Sequence, residues 1–488
     1  MKSSQQTPQG VSRRRFLETS SRAGIGLWLA HSPLLTQAGG NRPRKRYVNV
    51  GVGSRSILYQ EAINKTYAGS CEMVGYCDVN EGRLRLAQEW GERDTGRVVP
   101  IYTGDQFERM IHEQRPDTII VTTPDATHHG YIVRGMELGC DIITEKPITT
   151  TAETCRAVLD AQKRTDRRCR SIFNLRYSPP YVQVKELLMS GAIGDILSVD
   201  FHWLLNTMHG ADYFRRWHSQ KEVSGGLLVH KATHHFDLVN WWLSAIPVSV
   251  VANGKRDYYT PKMARRLGLD SPHERCLTCH EKDACTFYFD LASNSLYKQL
   301  YLDNESYDGY YRDRCVWRPD IDIEDCMNLL VRYDDGVMMT YSLNAYNAWE
   351  GFHIVFNGTR GRLEHKSVYQ QFENVDGGLG THEEIGTTII PLRGAPTEVE
   401  IAEFAGDHVG ADTLMLEHIF ADQDSHDPLV QAADQRSGAY SVLTGIAANS
   451  SIASGEAVVI DDLVQDIGYP DYTPMPDHEH GIPMPRRV

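Results

Sequence analysis

The sequence predicts an α/β protein whose amino-terminal part is a doubly wound parallel sheet. Residues 47–50 form a short apolar strand that runs into a glycine-containing turn and a helix-compatible stretch. Further apolar strands at residues 71–77 and 118–122 alternate with amphipathic helical stretches, and such alternation is typical of a parallel sheet. Later in the chain, residues 327–344 alternate between apolar and polar side chains around a turn, which predicts a hairpin.

The composition is that of a globular protein with more than one domain. The chain has 488 residues, of which 41% are hydrophobic and 23% are charged, and this length supports about two domains with sizeable cores. The formal net charge of −14 would repel a phosphate backbone, which argues against nucleic acid as a partner. No apolar stretch approaches the ~18 residues of a membrane span, so we expect no stable membrane insertion after export.

Residues 1–40 have the pattern of an export signal. Residues 12–17 read Ser-Arg-Arg-Arg-Phe-Leu and are followed by a short apolar run at residues 23–30. This resembles a twin-arginine signal, which predicts a periplasmic or otherwise exported protein. A disordered basic tail is the alternative.

A glycine turn after the first strand predicts a dinucleotide site. Gly51 and Gly53 suit a tight turn whose backbone approaches a pyrophosphate at a helix N-terminus. Asp78 ends the second strand, where a carboxylate would hold a ribose 2′-hydroxyl and favour NAD over NADP. Arg55 and Arg83 could soften that preference, so NADP stays possible. The predicted cofactor residues of this turn and strand are Gly51, Gly53, Ser54, Arg55 and Asp78.

Two further loops follow the strands at residues 118–122 and 140–144. Ligands of parallel sheets bind at the carboxyl ends of the strands, and a lysine placed there can reach such a ligand. The prediction of cofactor contacts therefore extends to Thr123, Pro124, His128, Glu145 and Lys146. The alternatives are a His128 that caps the following helix and an ordinary solvated Lys146.

The order of these motifs resembles the glucose–fructose oxidoreductase/inositol dehydrogenase/rhizopine-catabolism (Gfo/Idh/MocA) family over residues 46–462. The matching motifs are Val-Gly-x-Gly at 50–53, Thr-Pro-Asp-x-Thr-His at 123–128, Glu-Lys-Pro at 145–147 and Phe-Asn-Leu-Arg-Tyr-Ser-Pro at 173–179. The resemblance implies an NAD(P)-binding Rossmann domain at 46–178 and a catalytic α/β domain with a large, open, mostly antiparallel sheet at 179–462. Residues 463–488 are then a tail, and Lys146 lies beside the nicotinamide and the substrate.

The segment after residue 226 carries the second half of the predicted site. On a helix that starts near residue 228, His230, His234 and Asp237 would share one face. Three interpretations compete: buried structural residues, a His-x-x-x-His metal pair completed by Asp237, or an acid–base relay, which suits side chains that titrate near neutral pH.

The family resemblance favours the relay. His234 matches the catalytic histidine and Asp237 the acidic residue that follows it, while His230 stands where the family commonly has an aspartate. The predicted catalytic residues are therefore Lys146, His234 and His230. The predicted substrate residues are Arg176, Lys231 and Asp237, and the resemblance also suggests that His408 faces the substrate.

A polar insertion at about residues 255–320 contains the cysteines Cys276, Cys279, Cys285 and Cys315. Cys-x-x-Cys with two further thiols could hold a structural zinc ion. Two disulfides, or four free thiols, are the alternatives for an exported protein.

The resemblance implies an NAD(P)-dependent oxidoreductase that transfers hydride from a sugar, polyol or glycoside, and the twin-arginine pattern predicts that it is exported. Since free nicotinamide is scarce outside the cytoplasm, we expect a tightly bound, recycled cofactor. An NAD-dependent glycosidase, eliminase or epimerase that works through a transient keto-sugar shares the same residues, and a non-catalytic sugar-binding protein is a third possibility. We also expect a homo-oligomer whose other partner is a small carbohydrate.

Overall fold

The computed structural model describes residues 43–270, 273–373, 379–402, 404, 410–421 and 427–476. The predicted export signal, the end of the predicted tail and His408 lie outside these residues. Within them, no helix has the length and apolar character needed to cross a bilayer.

The first sheet is the predicted doubly wound parallel sheet. Its strands and intervening helices are β1 (Lys45–Val50), α1 (Ser56–Glu61), β2 (Cys71–Asp78), α2 (Glu81–Thr95), β3 (Ile101–Thr103), α3 (Phe107–Gln114), β4 (Thr118–Val121), α4 (His128–Glu137), β5 (Asp141–Glu145), α5 (Ala152–Thr165) and β6 (Cys169–Ile172). The spatial order is β6-β5-β4-β1-β2-β3, with parallel neighbours throughout. The order reverses direction between β1 and β4, and ligands of such sheets bind beyond the carboxyl ends of the strands at this point.

The second sheet is large and mostly antiparallel. Its strands are β7 (Ile196–Asn206), β8 (Pro247–Lys255), β9 (Cys326–Tyr333), β10 (Met338–Asn347), β11 (Glu350–Gly358), β12 (Gly361–Glu373), β13 (Leu379–Pro391), β14 (Thr397–Val399) and, after a two-residue strand β15 (Ala433–Asp434), β16 (Val458–Val459). The order is β14-β13-β12-β11-β7-β10-β9-β8-β16, and among these neighbours β10 and β7 are parallel. The predicted hairpin is β9–β10. β15 instead pairs antiparallel with β6 of the first sheet.

The helices of the second half position the site against this sheet. They are α6 (Pro179–Met189), α7 (Thr207–Arg215), α8 (Lys221–Ser224), α9 (Leu227–His230), α10 (Thr233–Leu243), α11 (Pro261–Arg266), α12 (Ser295–Leu300), α13 (Ala411–Phe420), α14 (Gln435–Ser454) and α15 (Ile460–Leu463). The α14 backbone passes so close to α9 that a Cβ at Gly445 would lie 2.2 Å from the Leu228 carbonyl oxygen. This contact between backbones fixes the place of α9, and with it His230.

The prediction of a single helix that starts near residue 228 is wrong. The chain forms two helices, α9 and α10, separated by Lys231 and Ala232. Both of these backbone N–H groups donate to the Leu227 carbonyl oxygen, at 3.0 and 2.8 Å, so the second bond spans five residues and opens the turn. As a result, His230 and His234 do not lie on successive turns of one helix.

Candidate active site

Lys146 lies just beyond the carboxyl end of β5, as predicted. Its Nζ donates to the His230 carbonyl oxygen at 3.1 Å and lies 3.4 Å from His230 Nε2. Burial lowers the pKa of Lys146 to about 8, although the nearby carboxylates of Asp125 and Glu145 oppose the shift. The amine is therefore readily exchanged between its charged and neutral forms near neutral pH.

Asp125 holds the opposite side of the His230 ring. Its Oδ2 lies 2.6 Å from His230 Nδ1, and both side chains are buried. One proton held between these two atoms leaves Nε2, the nitrogen that faces Lys146, as the proton acceptor. Burial lowers the pKa of His230 well below its ordinary value, and the charge of Lys146 adds to this effect. Burial also raises the pKa of Asp125.

His230, rather than His234, is the histidine in contact with Lys146. The ring of His234 packs edge-to-face against Phe173, with centroids 6.0 Å apart. The break between α9 and α10 accounts for this difference. A catalytic role for His234 stays a prediction, whereas the observed pair is Asp125–His230.

A second set of polar side chains lies beside His230. Tyr213 has its ring centroid 5.5 Å from that of His230, and its Oη is 3.0 Å from His209 Nε2. The other nitrogen of His209, Nδ1, is 2.6 Å from Glu350 Oε1. Tyrosine, histidine and glutamate are thus joined in a chain of hydrogen bonds that could carry a proton.

The turn after β1 has the shape that a dinucleotide requires. Gly51 has φ +86°, and a Cβ there would lie 2.7 Å from backbone atoms of Thr122 and Thr123. Ser56 replaces the third glycine of the common fingerprint, and its hydroxyl donates back to the Gly53 carbonyl oxygen at 2.6 Å. The N–H of Ser54 points to an acceptor from another part of the chain, the hydroxyl of Tyr301, at 3.0 Å.

Asp78 is tied to this turn. Its Oδ2 accepts from the Val52 N–H at 2.7 Å, and its Oδ1 accepts from the Asn80 N–H at 2.8 Å. Arg83 Nη2 lies 3.2 Å from Asp78 Oδ1 and 2.6 Å from Asp308 Oδ2. The carboxylate therefore stands at the end of β2 where a ribose would be held.

Arg55 and Glu145 bind each other. Arg55 Nε donates to Glu145 Oε1 at 2.5 Å, the hydroxyl of Tyr59 donates to the same oxygen at 2.7 Å, and Arg55 Nη1 lies 3.4 Å from Asp412 Oδ2. This bond connects the turn after β1 to the loop that carries Lys146. Arg55 is thereby engaged at a carboxylate, which disfavours its expected alternative use for a 2′-phosphate.

His128 clamps the two ligand-binding loops together. One ring nitrogen lies 2.7 Å from the Pro147 carbonyl oxygen and the other 2.8 Å from the Thr123 carbonyl oxygen. The ring is 1% exposed, and burial lowers its pKa. His128 thus positions the loop of Thr123 and Pro124 relative to the loop of Lys146. Because both ring nitrogens contact these loops, the ring does not cap the following helix.

Arg176 and Asp237 form a buried ion pair, which does not support their predicted substrate roles. The two guanidinium–carboxylate bonds measure 2.8 and 2.6 Å, and the side chains are 0% and 1% exposed. Both carboxylate oxygens of Asp237 accept from Arg176, which also disfavours Asp237 as a metal ligand. Lys231 is half-buried with its Nζ 5.1 Å from the ring centroid of Trp203, close to His230 in sequence.

The four insertion cysteines come together. They line one cavity of about 20 Å³ that His273 and Glu281 also border. An antiparallel backbone bridge between Arg275 and Arg314 holds together the two segments that carry Cys276 and Cys315. All ten cysteines, including these four, are free thiols in the structure.

Sequence reasoning did not assign a role to several residues of this site. Asp125 lies inside the recognised Thr-Pro-Asp motif, and its position between Pro124 and a helix was the signal that could have found it. His209 and Glu350 lie far from the motifs along the chain, and only the tertiary structure brings them to the site.

Two family descriptions match the chain. One, "Oxidoreductase family, NAD-binding Rossmann fold", covers residues 45–173, and the other, "Oxidoreductase family, C-terminal alpha/beta domain", covers residues 185–460. The chain belongs to the Gfo/Idh/MocA oxidoreductase family. The Bacillus subtilis protein YteT, which is named as an oxidoreductase, is 32% identical over 429 residues, or 86% of this chain and 99% of its own.

Other Gfo/Idh/MocA relatives are more distant. Glycosyl hydrolase family 109 protein 1 of Akkermansia muciniphila is 27% identical over 178 residues, which cover 35% of this chain and 36% of its own. A solved structure of the WlbA dehydrogenase of Bordetella pertussis, in complex with NADH and UDP-GlcNAcA, matches with a TM-score of 0.57. It is 17% identical over 86% of this chain and 99% of its own, and this likeness shows the shared fold.

The protein is an NAD-binding oxidoreductase of this family, and the residues of the turn fit the cofactor. A glycine at φ +86° whose Cβ position is blocked by backbone atoms, the Ser54 N–H just before α1 and the Asp78 carboxylate fit a pyrophosphate and a ribose. The nicotinamide, when bound, supplies a hydride acceptor to the site.

Proposed function

We propose that this enzyme oxidises a carbinol group of a sugar, polyol or glycoside. The observation that carries the proposal is the arrangement of Lys146, His230 and Asp125, which Glu145 and Arg55 link to the dinucleotide turn. A base with an orienting carboxylate and an adjacent cation are what the oxidation of an alcohol needs. The WlbA structure, with its nucleotide sugar, supports a carbohydrate ligand by analogy within the fold.

Each of these residues has a distinct task. His230 Nε2 accepts the hydroxyl proton, and Asp125 stabilises the imidazolium that forms by keeping the proton on Nδ1. The Lys146 ammonium lowers the energy of the oxyanion that develops on the substrate. The clamp of His128 keeps the Lys146 loop in register with the loop that carries Asp125.

The test is to incubate the purified protein with a panel of sugars and polyols and to follow NADH absorbance together with products. Lys146→Ala should lower kcat by ~10²-fold or more, because the cation acts on charge that develops in the transition state. NADH binding, measured by fluorescence, should be retained. Wild-type turnover in Lys146→Ala would remove this lysine from the mechanism.

A redox-neutral reaction on a glycoside is the second candidate. The observation that favours it is the Tyr213–His209–Glu350 chain, because elimination or epimerisation at a transient keto-sugar needs a second proton transfer beside the first. The glycosyl hydrolase relative supports it over part of the chain. An aryl glycoside that is cleaved with solvent deuterium incorporated into the sugar would establish it, whereas oxidation without cleavage would argue for simple dehydrogenation.

We also propose that the protein is exported and keeps its cofactor bound. The twin-arginine pattern at residues 12–17 supports export, and a protein outside the cytoplasm would lose a cofactor that it released. Replacing Arg13 and Arg14 by lysine should leave the protein in the cytoplasm. Protein purified without added nucleotide should carry NAD(H) and turn over repeatedly; empty protein that consumes NAD stoichiometrically would contradict retention.

A structural zinc ion in the insertion is a further part of the proposal. The cavity that Cys276, Cys279, Cys285 and Cys315 border supports it, since about 20 Å³ is room for one water-sized body. Elemental analysis should find about one zinc per chain, lost in Cys279→Ser and kept in Cys326→Ser, whose thiol is similarly half-buried. Intact mass showing two disulfides and no metal would contradict the zinc site.

The predicted homo-oligomer has support from the second sheet. Val251, Leu330 and Met338 lie on one face of its adjacent strands β8, β9 and β10 and are 39%, 57% and 62% exposed. We propose that a second copy covers this face, because contiguous apolar surface of this kind marks interfaces. The molar mass from light scattering should correspond to more than one chain per particle, and Leu330→Lys should lower it toward that of the monomer. A monomeric wild type would contradict the proposal.

A further inference from the structure

Part of the insertion forms a strap across the NAD-binding domain. The strap is residues 295–311, which begin with α12 and continue into a short 3₁₀ helix, Leu302–Tyr307. Tyr301 is its innermost contact with the dinucleotide turn. The Tyr301 hydroxyl accepts from the Ser54 N–H at 3.0 Å and donates to Ser54 Oγ at 3.1 Å, and the tyrosine is 8% exposed.

The same strap covers the start of α2. The Asn304 carbonyl oxygen accepts from Asn80 Nδ2 at 2.9 Å, and a Cβ at Gly82 would lie 1.9 Å from Asn304 Oδ1. A side chain at position 82 would therefore displace the Asn304 side chain. One turn further, Arg85 donates to the hydroxyl of Tyr307 at 2.8 Å.

The strap is anchored at its base rather than at the turn. Arg275 donates to both carboxylate oxygens of Glu305, at 3.0 and 2.9 Å, and also contacts the fully buried Asp313. The guanidinium of Arg312 lies 4.2 Å from the ring centroid of Tyr297 and 4.8 Å from that of Tyr301. The ring of Tyr301 is thus held by contacts within the insertion, while its hydroxyl is attached to the turn by two exchangeable hydrogen bonds.

The contacts of the strap are made at or beside the two groups that would bind a dinucleotide, the Ser54 N–H and the Asp78 carboxylate. The Ser54 N–H stands at the start of α1, where pyrophosphate binds, and Asp78 stands at the end of β2, where the ribose binds. The Tyr301 hydroxyl accepts from the same N–H that would donate to a phosphate oxygen. Asp308 adds a second carboxylate to Arg83, the arginine that could otherwise receive a 2′-phosphate.

We propose that the strap is the outer wall of the NAD site, in which Tyr301 slows release of the dinucleotide and Asp308 excludes a 2′-phosphate. When the dinucleotide binds, the Tyr301 side chain withdraws slightly from Ser54, a phosphate oxygen replaces its hydroxyl at the Ser54 N–H, and the ring stays beside the phosphate. With Arg83 shared by two carboxylates, the ribose end of the site carries a net negative charge that repels NADP. The inference rests on the cofactor retention proposed above and gives it a structural cause.

The first experiment measures NADH release from the full-length protein without substrate. Bound NADH is displaced by excess NAD in a stopped-flow fluorimeter. Tyr301→Ala removes the ring and should raise the dissociation rate at least ~10-fold, a loss of wall contacts typical of a buried aromatic, whereas Tyr301→Phe keeps the ring and should stay near wild type. An NADH dissociation rate of Tyr301→Ala within twofold of the wild-type rate would overturn the proposed role of Tyr301 as the wall. If Tyr301→Ala does not fold, Tyr301→Phe decides: release as slow as in wild type supports the ring as the wall, and rapid release overturns it.

The second experiment tests the choice of cofactor by fluorescence titration. Asp308→Asn should tighten NADPH binding by roughly 10-fold, because one repelling charge is removed, and should leave NADH binding nearly unchanged. Asp303→Asn is the matched control, since Asp303 lies on the same strap and pairs with the exposed Lys298. Unchanged NADPH affinity in Asp308→Asn, or a wild type that prefers NADPH, would overturn the role of Asp308.

These measurements separate the strap from the reaction. A protein that binds and retains NADH as described but oxidises no sugar would count against the proposed function and leave the strap standing. A wild type that turns over sugar, together with an unaltered rate of NADH release in Tyr301→Ala, would support the proposed function and count against the strap.

Discussion

At the scale of single residues, the group that orients the catalytic base is not the one that the sequence predicted. By the family resemblance, His230 stands four residues before His234, at the position where the family commonly has an aspartate. The structure supplies a carboxylate to His230 from the other domain, through Asp125 at 2.6 Å. Orientation by an anion is therefore kept, although it comes from a different part of the chain.

Asp125→Asn tests this pair. The amide preserves the shape but removes the charge that stabilises the imidazolium, so kcat should fall by ~10²-fold or more with KM changed little. The acid limb of the pH–rate profile should also move to lower pH, because the protonated ring is less stable. His234→Gln is the comparison: if it abolishes activity while Asp125→Asn does not, the base is His234.

The pKa of Lys146, lowered by burial to about 8, predicts the alkaline limb of the pH–rate profile. The ammonium is present below this pKa and is lost above it, so kcat/KM should decline as pH rises through about 8. His230, with its pKa well below the ordinary value, stays a neutral base across the plateau. Lys146→Arg keeps its cation at higher pH and should move the limb upward; an unmoved limb would assign it to another group.

At the scale of elements, the dinucleotide turn shows how one glycine places two loops. A Cβ at Gly51 would meet the backbone of Thr122 and Thr123 at 2.7 Å, so the turn after β1 and the loop after β4 touch directly. This contact brings the loop of Asp125 close to the cofactor.

Gly51→Ala should lower the free energy of unfolding by about 3 kcal/mol, from the positive φ and the forced backbone shift together. Gly96→Ala is the matched control, since Gly96 has φ +70° with no atom within 4 Å of its Cβ position, and should cost only about 1 kcal/mol. Urea unfolding gives both values, and NADH titration should show weaker binding in the first variant alone. Equal losses in the two variants would contradict the close approach.

At the scale of the whole molecule, the two halves share one interior. A single apolar cluster includes Val48 and Ile119 of the first sheet together with Val199 and Phe201 of the second. The Arg176–Asp237 pair joins the loop after β6 to α10 within this interior. The active site lies between elements of both halves, so this packing sets the distance from Lys146 to His230.

Asp237→Asn should therefore destabilise the whole chain, by about 3–5 kcal/mol, because it leaves a buried guanidinium without its charge partner. The double variant Arg176→Met/Asp237→Leu should recover much of this loss, since no charge is then buried. Thermal unfolding should remain a single transition in each variant. A substrate role would instead appear as raised KM in Asp237→Asn with unchanged stability.

The sequence by itself determined the fold class, the NAD-binding turn and the position of Lys146 at the end of a strand. These features depend on local patterns, because strand–helix alternation, a glycine turn and a lysine after a strand are all contained in short segments. The tertiary structure decided which residues meet. The break after His230, the partner of Asp237, the carboxylate on His230 and the contact of Tyr301 with Ser54 join residues as many as 247 positions apart, and no periodicity along a chain encodes such a contact.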